Sequence, residues 1–231
     1  MLGGKNEIIV ESEPDRKSYV LFIKGAIEET AKIYGPIFKR MASKYALEFE
    51  AEKLKEEPPE NIQGLEDVTN YILQNLDRYP QGYCALIYGI AKAESKLQGS
   101  TGAGARRAAF HAIKSILHSS GLLNGLIGST EDAFEAIDKF ENISKAIKTA
   151  YPERFLKEEN NQIVMILDER CPFRDACKAF TRERISRMIG GEECVSLITH
   201  VAVSEIITKK KFDYKLEKYD ELECRGRIFS V

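Results

Sequence analysis

Four of the five cysteines, Cys171, Cys177, Cys194 and Cys224, fall in the C-terminal third of the chain. A thiolate is both a nucleophile and a soft metal ligand, so a local excess of thiols is the feature here that could do chemistry. The first two bracket the segment Cys171-Pro172-Phe173-Arg174-Asp175-Ala176-Cys177, which follows the apolar run Ile163–Leu167. The intervals are five, sixteen and twenty-nine residues. Structural zinc sites usually open with two to four residues between thiols, because a tight turn aims both at one ion. This spacing therefore leaves convergence to the fold. Three readings stand: one site holding zinc or an iron–sulfur cluster through these four residues, unligated thiols packed as small hydrophobes, or, least favoured, a disulfide framework. Cys171 is also the first candidate for a reactive thiol, since Pro172 marks a turn that could expose it.

Other residues with chemical capacity are dispersed. His111 and His118 lie seven apart and share one helical face, and His200 follows Cys194 by six. Each could act as acid, base or metal ligand. The glycine-rich stretch Gly99–Gly104 precedes Arg106 and Arg107 and could cradle an anion at a helix N-terminus. It lacks the Gly-Lys-Ser/Thr ending of a phosphate loop and the third glycine of a dinucleotide fingerprint. The competing reading is a flexible turn with solvated arginines.

The elements that must position these groups are mostly helical. Val20, Ile23, Ile27, Ala31, Tyr34, Phe38, Met41 and Tyr45 recur at helical spacing, and Pro36 should kink or divide that stretch. Glu56–Asn61, with Pro58-Pro59, reads as a linker. Helices are expected over 65–78, over the apolar run beginning Tyr83-Cys84-Ala85-Leu86, over 108–118 and from Ser129-Thr130-Glu131-Asp132 to about 150. Strands are expected over 162–167, 212–219 and 227–231, with a helix over 193–207 between them. The expected class is α+β, mostly helical, with a small antiparallel sheet formed largely by the C-terminal third. The expected division is an N-terminal helical dimerisation segment, 1–57, and a ligand-binding α+β domain, 61–231.

At 231 residues and a net charge of −2, with 30% of residues charged in both signs, the chain lacks the basic surplus of a general nucleic-acid binder. No run approaches a membrane span, and the first residues carry no signal-peptide core. A cytoplasmic setting with reduced thiols follows as an expectation.

Residues 161–231 resemble the 4-vinyl reductase type domain of small-molecule-sensing and hydrocarbon-binding proteins. The resemblance rests on the apolar strand into Cys171-Pro172-Phe173, the helix with Cys194-Val195-Ser196, the strand 214–219 and the closing Glu223-Cys224-Arg225-Gly226-Arg227-Ile228-Phe229. Leu86-Ile87-Tyr88-Gly89 and its flanking helices look like the rest of the related vesicle-tethering-type ligand fold. The family commonly carries a further cysteine in the penultimate strand, where this chain has Leu216-Glu217-Lys218-Tyr219. The resemblance implies an α+β fold, often dimeric, around an apolar pocket, with zinc held by cysteines in some members.

The leading expectation is a homodimeric binder or sensor of a small apolar molecule, with Tyr83, Tyr88, His111 and Phe173 lining its pocket. The rivals are a cysteine- or metal-dependent hydrolase or reductase, and a structural module that dimerises through its N-terminal helix.

Overall fold

Pro36 falls at the first position of a helix, where its missing N–H costs nothing, and so the N-terminal stripe becomes two helices rather than one. The structure, a computed structural model, describes residues 7–12, 15–98, 102–182, 194–219 and 222–231. In chain order it has β1 (Glu7–Val10), α1 (Arg16–Tyr34), α2 (Pro36–Leu54), α3 (Leu65–Asn75), α4 (Tyr83–Gln98), α5 (Gly102–Ser119) and α6 (Ala133–Ala146). Then come β2 (Glu153–Lys157), β3 (Ile163–Leu167), α7 (Arg174–Arg182), α8 (Val195–Thr208), β4 (Phe212–Tyr219) and β5 (Cys224–Ser230). The expected α+β class is the class observed. Two of the strands, β1 and β2, are additions to the sequence reading.

The chain forms two compact units. The helical unit comprises Asp15–Ala112 and Pro172–Gly190; the α+β unit comprises Met1–Pro14, Ile113–Cys171 and Gly191–Val231.

In the helical unit, α1, α2 and α3 pack together and α4 lies against α1, α2 and α7. The Pro58-Pro59 segment is the loop from α2 to α3 inside this unit. The stripe residues Val20, Ile23, Ile27 and Phe38 are buried within the chain. The crossing of α2 and α4 is tight: a Cβ on Gly89 would sit 2.3 Å from the carbonyl oxygen of Ala42. Glycine is therefore what permits that approach. Cys84 donates from its thiol to the carbonyl of Pro172 at 3.1 Å, and Tyr79 donates to Asp175 at 2.9 Å. These bonds fix the start of α7 on its own unit.

In the α+β unit the five strands form one antiparallel sheet in the order β1-β2-β3-β5-β4. Phe155, Ile163, Met165, Leu167, Gly226 and Ile228 are inward-facing by register and burial. Helix α8 packs on β4 and β5 and against α6. Gly226 again marks a close approach, because a Cβ there would lie 2.4 Å from Leu197 Cδ1. Asp132 caps α6 by accepting from the backbone N–H of Phe134 and Glu135, at 2.8 and 3.1 Å. The cap satisfies two N–H groups at the start of α6, the helix that packs on α8.

Candidate metal centre

Helix α8 is buried along nearly its whole length, yet it carries an ionisable side chain at its middle, His200. An imidazole in such surroundings needs partners for both nitrogens. Nδ1 donates to the carbonyl oxygen of Ser196, one turn earlier, at 2.7 Å. A carbonyl only accepts, so the Nδ1 proton is fixed and Nε2 faces the site. Nε2 lies 2.8 Å from Glu141 Oε1 and 3.3 Å from Glu153 Oε2.

The two carboxylates come from different elements by simple periodicity. On α6 the buried residues Ala133, Ala136, Ile137, Phe140, Glu141 and Ser144 form a single helical stripe, so Glu141 occupies a core position. On β2 the burial alternates, with Glu153 and Phe155 inward and Arg154 outward. The rings of Phe155 and Phe140 lie 4.7 and 5.8 Å from the imidazole, centroid to centroid, and close the site against water. All three ionisable side chains are at most 4% exposed.

Burial pulls the His200 pKa down, but the carboxylates of Glu153 and Glu141 outweigh it and the net direction is upward. Burial drives Glu153 in the protonated direction, against the pull of the imidazole. Both shifts mean that the cluster retains protons when no cation is present. One oxygen of each carboxylate, Glu141 Oε2 and Glu153 Oε1, has no hydrogen-bond partner. Unpartnered acceptors of this kind, enclosed beside an oriented imidazole, are what a cation would satisfy.

One ligand atom from each of Glu141, Glu153 and His200 falls within 4.8 Å of the others, and among the described residues this is the sole group of three or more such side chains. The four cysteines form no such group. Cys177 lies on α7 in the helical unit, while Cys171, Cys194 and Cys224 belong to the α+β unit. None of them is in a disulfide. Burial pushes the Cys194 thiol up to about 12, with Cys224 and Glu153 adding to the effect. A thiol so shifted stays protonated at neutral pH while no cation is bound, which does not suit a nucleophile. No family of known proteins, no curated protein and no solved structure matches this chain.

The pocket residues expected from sequence are placed as follows. Tyr83 and Phe173 do meet, at 6.2 Å between centroids, but as core: each is under 5% exposed and both pack on Tyr19. Tyr88 stacks on Phe49 at 4.7 Å, and its hydroxyl accepts from Lys92. His111 is exposed on α5, as is Arg107. The Arg106 side chain and Gly99–Thr101 lie outside the described residues.

Sequence reasoning named His200 only as one of three dispersed histidines that could act as acid, base or ligand, assigned it to no site, and named neither carboxylate. The signals were present: a glutamate at a core position of the α6 stripe, and a glutamate two residues before a phenylalanine in a strand that only its pairing reveals.

Proposed function

We propose that this chain is a metal-responsive binding protein, which holds one divalent first-row transition ion between Glu141, Glu153 and His200 in its α+β unit. The observation that carries the reading is the orientation of His200. Its Nδ1 proton is committed to a backbone carbonyl, while Nε2 lies 2.8 Å from Glu141 Oε1 and 3.3 Å from Glu153 Oε2 in an enclosed cluster with one ligand atom of each residue within 4.8 Å of the others. A neutral imidazole and two carboxylates would balance the charge of a divalent ion in surroundings where net charge is expensive.

Imidazole with carboxylate oxygens suits ions of the manganese, iron and zinc class rather than a thiophilic one. The enclosure supports a structural or sensing role, since a catalytic ion keeps an open coordination position. Binding would displace the protons of the cluster and stabilise the native unit by mass action. A second reading has an observation of its own: the 2.8 Å separation of Nε2 and Glu141 Oε1 is a hydrogen-bond distance, as for a cluster that holds a proton alone.

Equilibrium dialysis against Zn(II), Mn(II) and Co(II), with elemental analysis of the retained protein, separates the two. The metal reading expects one ion per chain in the wild type and none in His200→Ala, with Cys171→Ser and Cys224→Ser unchanged. Retention lost in the cysteine variants, or absent throughout, would reject it.

A further inference from the structure

The turn from α1 to α2 in the helical unit is the uncharged run Ile33-Tyr34-Gly35-Pro36-Ile37. Ile33 is 52% exposed and Ile37 48%, and Pro36 is exposed between them. Gly35 alone joins the two helices, at φ +84°, a conformation other residues rarely adopt, and its N–H donates to the carbonyl of Ala31 at 2.8 Å. Tyr34 packs on the buried ring of Phe38, at 5.6 Å between centroids. The corner is therefore braced from within while its isoleucines stay in water.

Helix α4 brings a further apolar group to the same end. It runs antiparallel to α2, with Gly82 beside Glu50, Gly89 beside Ala42 and Ala46, and Lys92 over the ring of Tyr45. From Gly89 to Leu97 the helix advances by about 12 Å, which sets Leu97 level with Pro36 and Ile37. Leu97 is 39% exposed, and Lys96 is exposed next to it. Helix α3 keeps to the other end: its first turn meets Lys24 through Glu66 at 2.5 Å, and Tyr71 reaches Glu56 beyond the end of α2. Cations flank the patch at Lys32, Lys39, Arg40 and Lys96. Glu28 and Glu29 lie farther down α1, where Glu29 holds Lys32 at 2.6 Å and Glu28 is 3.9 Å from Lys39. Arg40 and Lys96 form no ion pair among the described residues.

We infer that this corner is a membrane-docking surface, which sets Ile33, Ile37 and Leu97 into an anionic bilayer while the four cations meet its headgroups. Charge and shape select that occupant. A second copy packed about a two-fold axis would bring the same cations against one another. A projecting corner needs a matching groove in a protein partner, whereas the headgroup layer yields to it. Lysine and arginine stems can lie along apolar surface with their charges at the interface, and each adds an attraction to anionic lipid that salt screens. The docking is peripheral, because among the described residues no helix is long and apolar enough to cross a membrane. It is independent of the metal-binding reading, whose ligands lie in the α+β unit.

The test is cosedimentation of the full chain with vesicles of phosphatidylcholine, alone or mixed with phosphatidylserine, at low and high salt. Binding should require phosphatidylserine and weaken as salt rises. The double variant Ile33→Ser, Ile37→Ser should lower the partition constant about 10- to 100-fold, as the transfer of two half-exposed isoleucines implies. Arg40→Gln should lower it about fivefold, the equivalent of one cation at an anionic surface. Leu21→Ser removes an equally exposed side chain from α1, well away from the corner, and should leave binding unchanged. All these positions are at the surface, and circular dichroism confirms that each variant is folded. Absence of binding, equal binding to neutral vesicles, or an equal loss in Leu21→Ser would overturn the inference. So would a wild-type dimer in light scattering that the double variant converts to monomer, since the corner would then belong to a second copy.

Discussion

Both units bury carboxyl groups, and they deal with the charge in opposite ways. In the α+β unit, Glu141 and Glu153 face an imidazole on a neighbouring element, and Glu205 holds Lys114 at 2.7 Å while accepting from the backbone N–H of Phe212. In the helical unit, Glu50 on α2 is fully buried and neither oxygen has a hydrogen-bond partner. Burial pushes its pKa up to about 8. Glu50 is thus neutral at ordinary pH and behaves as an awkward hydrophobe between Ile72, Leu76 and Gly82. The difference separates a polar cluster with a partner for each charge from a polar group merely tolerated, and it explains why the chemistry is assigned to the first unit.

The largest effect expected is on the α+β unit. His200→Ala leaves two carboxylates enclosed without their base, and should lower stability by about 3–5 kcal/mol, measured by denaturant unfolding of metal-free protein. Should that variant unfold no more easily than wild type, the cluster is not a mutually compensated one.

A comparable effect of different character is expected at Glu50. Its unfolded value is the ordinary 4.5 and its folded value about 8, so the folded state holds the extra proton between them. That part of the stability is complete below pH 4.5, falls as pH rises toward 8 and levels off above it. The total is about 5 kcal/mol, at about 1.4 kcal/mol for each pH unit. Glu50→Met should abolish this slope and raise stability at pH 9, readable from unfolding curves between pH 5 and 9. An unchanged slope would show that Glu50 is not the group responsible.

Smaller effects mark the close approaches and the cap. Gly89→Ala sets a methyl against a backbone carbonyl, which cannot yield as a side chain can, whereas Gly226→Ala meets the flexible end of Leu197. Both should destabilise within the range of about 1–3 kcal/mol, with Gly89→Ala the worse. Asp132→Ala removes the acceptor for two N–H groups of α6 and should cost about 1 kcal/mol. It should also reduce metal retention slightly, because α6 carries Glu141.

Much of the fold was legible because periodicity and breakers agree locally. Pro36 divides α1 from α2, Asp132 opens α6, and the alternation in Phe212–Tyr219 is strand β4. Helix α5 begins at Gly102, earlier than the composition of Gly102-Ala103-Gly104 predicts, since glycine is a poor helix former. Strands β1 and β2 escaped because their identity is set by pairing: Glu153-Arg154-Phe155-Leu156-Lys157 is short and charged, and β1 and β3 flank it.

The site was less legible for the same reason. Glu141, Glu153 and His200 are far apart in sequence, on α6, β2 and α8, and no local spacing connects them. Thiols drew attention by their rarity, whereas glutamates are common and only burial makes two of them unusual. The N-terminal stripe shows the converse. Its apolar side chains called for a partner, and within the same unit, where α1 packs on α2, α3 and α4, Val20, Ile23 and Ile27 are buried while Leu21, Ile33 and Ile37 are exposed.

The central claim is that a cation belongs at the glutamate–histidine cluster and not at the cysteines, and anomalous X-ray diffraction from crystals grown with Zn(II) addresses it directly. The account predicts one anomalous peak about 2.0–2.1 Å from His200 Nε2, bridged by oxygens of Glu141 and Glu153. A peak at Cys171, Cys194 or Cys224, or none at His200 under saturating zinc, would contradict it.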